Sequence, residues 1–152
     1  MNKNLNKKIE RLTLELAETR SVVGTKGENN ISKKVYEKFM EMEYFKQNPG
    51  MVKYVGAIKD PLKRKSVLAM INGHTDTVGI SDYGNLKEYA TNPLELIEKL
   101  KDITLPEDAL KDLESGEYLF GRGIFDMKCG VATLMTIIED ISNDVENFKG
   151  NL

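Results

Sequence analysis

Cysteine and histidine are almost missing: each occurs once in 152 residues. A single thiol cannot close an intramolecular disulfide, so a disulfide-stapled secreted scaffold is excluded. Long apolar runs are missing too. No stretch of about 18 apolar residues occurs, so no segment reads as a membrane span. Neither charge sign is in excess: 22 Lys and Arg face 24 Asp and Glu, a formal net charge of −2. That balance argues against a dedicated nucleic-acid binder, whose affinity comes from clustered cations on phosphates. The N-terminus, Met1-Asn2-Lys3-Asn4-Leu5-Asn6-Lys7-Lys8, has the charge of a secretory leader but no apolar stretch after it. The expected compartment is the cytoplasm. What is present, 40% hydrophobic and 30% charged residues, suits a soluble chain with one core.

Periodicity organises the chain. Leu5, Ile9, Leu12 and Leu16 form one apolar stripe and predict a helix to about Arg20. The glycines of Ser21-Val22-Val23-Gly24-Thr25-Lys26-Gly27 break it. Asn30 is the expected N-cap of a second helix with Ile31, Val35, Phe39 and Met42 on one side, ended by Asn48-Pro49-Gly50. Residues 51–58 alternate like a strand, and residues 66–72 form a continuous apolar run that suits a strand covered on both faces. Residues 79–92 read as loop. A short helix is expected from Pro93 to about Lys101 with Leu94, Ile97 and Leu100 inward. Pro106 sits in the first turn of another, with Leu110 and Leu113 inward. The last helix, from about Val131 to Ile141, is apolar nearly all round and needs cover on more than one side. Two strands make a thin sheet for such a helix. The expectation is an α/β fold whose core is completed by a missing C-terminal portion, by a second subunit or by a strand this reading overlooks.

The only histidine, His74, falls at the carboxyl end of the second expected strand, where α/β sheets bind ligands. Asp76 lies two residues on, so in extended backbone both side chains point the same way. A metal-bound imidazole usually gives its other N–H to a carboxylate or carbonyl, and His-x-Asp can supply both parts. The same residues also suit a structural histidine beside a turn or N-capping aspartate. Gly121-Arg122-Gly123-Ile124-Phe125-Asp126 resembles the start of a dinucleotide fingerprint, but Asp126 replaces its third glycine and would repel pyrophosphate. Either the glycines turn the backbone tightly and bring Asp126 into a crowded site, or Asp126 caps the next helix. Cys129 reads as a small buried residue rather than a nucleophile. Lys7-Lys8, Lys33-Lys34 and Lys63-Arg64-Lys65 read as solvated faces and a turn, and Met40, Met42 and Met70 as core filling.

Together the two motifs say more. Gly73-His74-Thr75-Asp76-Thr77-Val78 after an apolar run, and Gly121-Arg122-Gly123-Ile124-Phe125-Asp126-Met127-Lys128-Cys129-Gly130, resemble the two N-terminal signatures of the M20 family of zinc metallopeptidases and deacylases. Ser21-Val22-Val23-Gly24-Thr25-Lys26-Gly27-Glu28 is similar to that family's early loop. The segment from Gly79 to Phe120 looks most like the arginine-utilisation branch. The resemblance implies a partial zinc-exopeptidase-like sheet with helices on both faces, truncated at the C-terminus. It implies His74 as a zinc ligand, Asp76 as its orienting partner in catalysis, Asp126 as a carboxylate bridging two zinc ions, and a cis peptide from Asp126 to Met127.

The implied activity is hydrolysis of an amide or peptide bond in a small amino-acid-derived or peptide substrate by metal-activated water. The expected partners include no nucleic acid and no membrane, and the family likeness admits a homodimer. The general base, the remaining ligands and a second histidine of the family pattern have no counterpart in these 152 residues. The chain therefore reads as residues 1–152 of a catalytic domain whose remainder is absent, inactive alone. The alternative is a non-catalytic α/β assembly or interaction module.

Overall fold

The computed structural model describes residues 3–54 and 73–147. Six α-helices run through them: α1 (Lys3–Ala17), α2 (Lys26–Glu41), α3 (Glu43–Gln47), α4 (Pro93–Leu100), α5 (Glu107–Ser115) and α6 (Cys129–Ser142). Short 3-10 turns cover Pro49–Met51 and Ser81–Leu86. None of these helices is long and apolar enough to cross a membrane.

The core is where the periodicity places it. Leu12 and Leu16 of α1, Ile31 of α2, and Val131, Ala132 and Met135 of α6 form one buried cluster. Ile9, Val35 and Phe39 pack against it half-buried. Burying a side chain such as Leu16 stabilises the fold by about 1.5–3 kcal/mol. Charges flank this core: Lys8 of α1 pairs with Glu139 of α6 at 3.0 Å, and Lys38 of α2 with Glu15 of α1 at 3.0 Å.

The expected α/β class is corrected. Among the described residues there is no strand and no sheet, only an isolated parallel bridge between Val22 and Thr77. Pro49 opens a turn that holds Met51, so the supposed strand does not begin there. Val52 is extended (φ −115°, ψ 127°), but extended backbone without a ladder partner is not a sheet. Lys53 and Tyr54 are exposed and in no strand. Residues 55–58, the apolar run 66–72, Lys63-Arg64-Lys65 and Met70 lie outside the described residues.

Helix boundaries differ in detail. Asn30 is not the N-cap of α2. Thr25 is, its hydroxyl accepting from the Gly27 N–H at 3.2 Å while Glu28 accepts from the Gly24 N–H at 2.8 Å. This Thr-x-x-Glu arrangement is a variant of the capping box. Gly27 fits inside the helix because a Cβ there would collide with the Arg20 carbonyl oxygen. Pro106 is the N-cap of α5 rather than part of its first turn. In α4 the buried residues are Pro93 and Leu96, while Leu94 is exposed. In α5, Leu113 is buried and Leu110 is exposed.

Candidate functional site

The two motifs meet. Backbone around 75–77 is anchored on the segment after α1, and the glycine-rich turn 121–128 leads into α6. Gly121 (φ 154°) and Gly123 (φ 77°) take backbone conformations that side chains disfavour, which lets the turn double back. Asp126 and Met127 leave helical geometry inside it (φ −115° and −139°), and the peptide between them is cis. The expected cis peptide is therefore present.

His74 Nε2 lies 2.9 Å from Asp126 Oδ1, across 52 positions of sequence. Its Nδ1 lies 3.2 Å from the Asp76 carbonyl oxygen and 3.3 Å from Asp76 Oδ1. Both ring nitrogens thus face oxygen acceptors. A carbonyl can only accept, so Nδ1 carries the proton. The neutral ring then turns a lone pair from Nε2 toward a carboxylate, and that contact calls for a positive charge between them. The hydrogen bond to Asp126 raises the His74 pKa above 6.5, burial opposes it, and the Asp76 carbonyl adds to the rise. Asp76 meets Nδ1 with both its carbonyl and its carboxylate. Asp126 faces the imidazole with its side chain 81% exposed.

A cleft of about 270 Å³ opens beside the pair. Val23, Val78 and Phe125 line it and are exposed, Phe125 at 90%. Thr77 lies at its floor, 5% exposed, its hydroxyl without a partner among the described residues. Arg122 braces the turn from the other side. Its N–H donates to the Ala90 carbonyl at 2.7 Å, and its guanidinium pairs with Asp82 and stacks 5.1 Å over the Tyr83 ring. That guanidinium holds the Asp82 carboxyl below its usual range, while burial raises the Tyr83 hydroxyl. Cys129 starts α6, partly buried, its thiol 3.5 Å from the Phe125 carbonyl oxygen. A larger concavity of about 440 Å³ is lined by Lys7, Lys8, Arg11 and Asp140, and holds a Lys8–Asp140 ion pair at 3.5 Å but no histidine.

An imidazole nitrogen and a carboxylate oxygen are zinc donors in kind. Their number does not suffice: zinc takes about three protein ligands plus an open position in a catalytic site. No group of three or more His, Cys, Asp or Glu side chains is arranged for a metal ion among the described residues. This chain's described residues do not compose a zinc site on their own.

Sequence reasoning assigned no role to Ser21, Thr77, Arg122 or Lys128. All four lie within the quoted motifs, which was the available signal. Nothing in the local pattern marks Lys128 as buried.

The chain is similar to the protein RocB of Bacillus subtilis (strain 168), 34% identical over 98% of the chain and 28% of the relative. It is similar to YqjN of the same strain, 33% identical over 93% of the chain and 27% of the relative. It also matches succinyl-diaminopimelate desuccinylase of Buchnera aphidicola subsp. Acyrthosiphon pisum, 36% identical over 53% of the chain and 16% of the relative. The chain spans roughly a quarter of the length of the first two. These similarities support an M20-like relationship without singling out a member. No protein-family model and no solved structure matches the chain.

Proposed function

We propose that this chain is the N-terminal part of the catalytic domain of an M20-like amidohydrolase, and that its His74–Asp126 pair supplies part of a metal centre completed by other residues. The observation that carries this reading is the 2.9 Å contact between Nε2 and Oδ1. An exposed imidazole fixed at Nδ1 by Asp76, with its other nitrogen against an exposed carboxylate, has the form of a metal ligand and its orienting partner. A purely structural histidine has no need of so open a carboxylate. Similarity to a desuccinylase supports an amide bond of an N-acylated amino acid as the substrate class. Similarity to RocB over nearly the whole chain supports the arginine-utilisation branch.

A bound divalent metal in such enzymes lowers the pKa of a water and polarises the scissile carbonyl. That chemistry belongs to the assembled site. The residues described here account for the orientation of the imidazole, the negative charge beside it and the apolar wall of Val23, Val78 and Phe125 next to it.

The test uses the protein made from its whole natural reading frame. Metal content and hydrolysis of N-acyl amino acids are measured for the parent and for His74→Ala and Asp126→Ala. The proposal expects metal in the parent, and loss of metal together with a 100-fold or greater fall in turnover (about 2.7 kcal/mol or more) in each variant. Unchanged metal and turnover in both variants would refute it.

A further inference from the structure

His74 and Asp126 are exposed, and an exposed ion pair is too weak to hold two distant loops in register. Something else sets their spacing. Both loops are fastened to a third segment, residues 19–23. Ser21 is fully buried there. Its hydroxyl donates to the Thr75 carbonyl at 2.6 Å, and its own carbonyl accepts from the Thr77 N–H at 3.0 Å. The Val23 N–H donates to the Thr77 carbonyl at 3.0 Å. These bonds grip the chain immediately after His74 and on both sides of Asp76.

The other loop is gripped from the same place. Lys128, two residues after Asp126, is fully buried, and its ammonium donates to the Thr19 carbonyl at 3.0 Å. Gly123 brings the two loops face to face: a Cβ there would lie 2.5 Å from Thr77 Cγ2 and 3.4 Å from Lys128 Cε. Buried bonds of this kind, one of them charge-assisted, tolerate little slack.

We propose that residues 19–23 are a positioning bracket, in which Ser21 and Lys128 fix the His74 loop and the Asp126 turn to one short segment and so set the imidazole–carboxylate contact. Ser21 and Lys128 are positioning residues. The bearing of the bracket on catalysis rests on the hydrolase reading; the contact itself does not.

Because His74 is the only histidine, its Cε1 proton gives a single imidazole signal of that kind in the NMR spectrum of the chain. Asp126→Asn in the otherwise native chain should shift that signal. In Ser21→Ala and Lys128→Met backgrounds the same substitution should shift it far less, while far-ultraviolet circular dichroism reports unchanged helices. A purely structural role for Ser21 or Lys128 would lower the melting temperature and leave the response to Asp126→Asn intact. A full response in either folded background overturns the proposal. Should Lys128→Met fail to fold, Ser21→Ala decides alone, a lost response supporting the bracket and a full one refuting it. No metal or turnover enters this measurement, so its outcome and that of the hydrolase test stand apart.

Discussion

At the residue scale, two titrating side chains carry opposite signs of pH dependence. His74 has its folded-state pKa raised above 6.5, first by the hydrogen bond to Asp126. A raised pKa means the folded state binds the proton more tightly than the unfolded state. The stability it contributes is therefore present below about pH 6.5 and is lost as pH rises through the folded-state pKa. An NMR titration of the single imidazole should give a midpoint above 6.5, falling toward that value in Asp126→Asn. A midpoint unchanged by that substitution would show the contact to be absent in solution. Lys128 behaves in reverse. Burial, helped by the nearby Lys34 charge, lowers its pKa from 10.5 to about 8. Its unfolded state then binds more protons between about pH 8 and 10.5, so stability from this group rises across that window. The full shift corresponds to roughly 3 kcal/mol. Urea midpoints at pH 7.5 and 9.5 check the sign: the native chain should gain stability relative to Lys128→Met at the higher pH.

At the scale of elements, the end of α1 is a junction. Lys34 of α2 donates to the Glu15 carbonyl at 2.8 Å and to the Thr19 hydroxyl at 3.1 Å, while Lys128 holds the Thr19 carbonyl. Cations gathered where a helix presents unpaired carbonyls are favourable there. The start of α2 is the second half of the junction. Thr25→Ala removes its N-cap and should cost about 1 kcal/mol in a denaturation midpoint. Gly27→Ala should cost more, because its methyl meets the Arg20 carbonyl oxygen. An equal or smaller loss for Gly27→Ala would mean that the close approach relaxes freely. These positions also explain what the sequence could tell. The stripes of α1, α2 and α6 were legible because burial on one face imposes a period. Asn30 was misread as the cap because the glycines looked like a break, whereas Gly27 serves a tertiary contact that no local pattern reveals. The face of α4 differs similarly: Pro93 and Leu96 are buried and Leu94 is exposed.

At the scale of the molecule, the candidate site and the core are separable. The residues of the site were legible from two motifs, since glycines and a solitary histidine stand out in any sequence. Their meeting across 52 positions was implied only by family likeness, and the bracket beneath them was invisible, because a buried lysine looks like any other lysine. Leu16→Ala opens a void in the cluster shared by α1, α2 and α6 and should cost about 2–5 kcal/mol. Asp126→Ala removes an exposed side chain and should leave the melting temperature nearly unchanged. If both variants melted alike, the pair would be part of the core's cooperativity and not an open site resting on it.

Among its described residues the 152-residue chain brings to the proposed metal centre one imidazole and one exposed carboxylate, with Asp76 engaged at Nδ1. A proton held between these two groups competes with the metal for the Nε2 lone pair. Zinc must displace that proton, and the raised His74 pKa makes the displacement harder as pH falls. Isothermal titration with zinc at pH 7 should therefore give weak binding or none, and the chain should not hydrolyse N-acyl amino acids. What binding there is should strengthen with rising pH and vanish in His74→Ala. Tight stoichiometric zinc with turnover from these residues alone would mean that the site is complete within this chain, and the proposed division of the metal centre would fall.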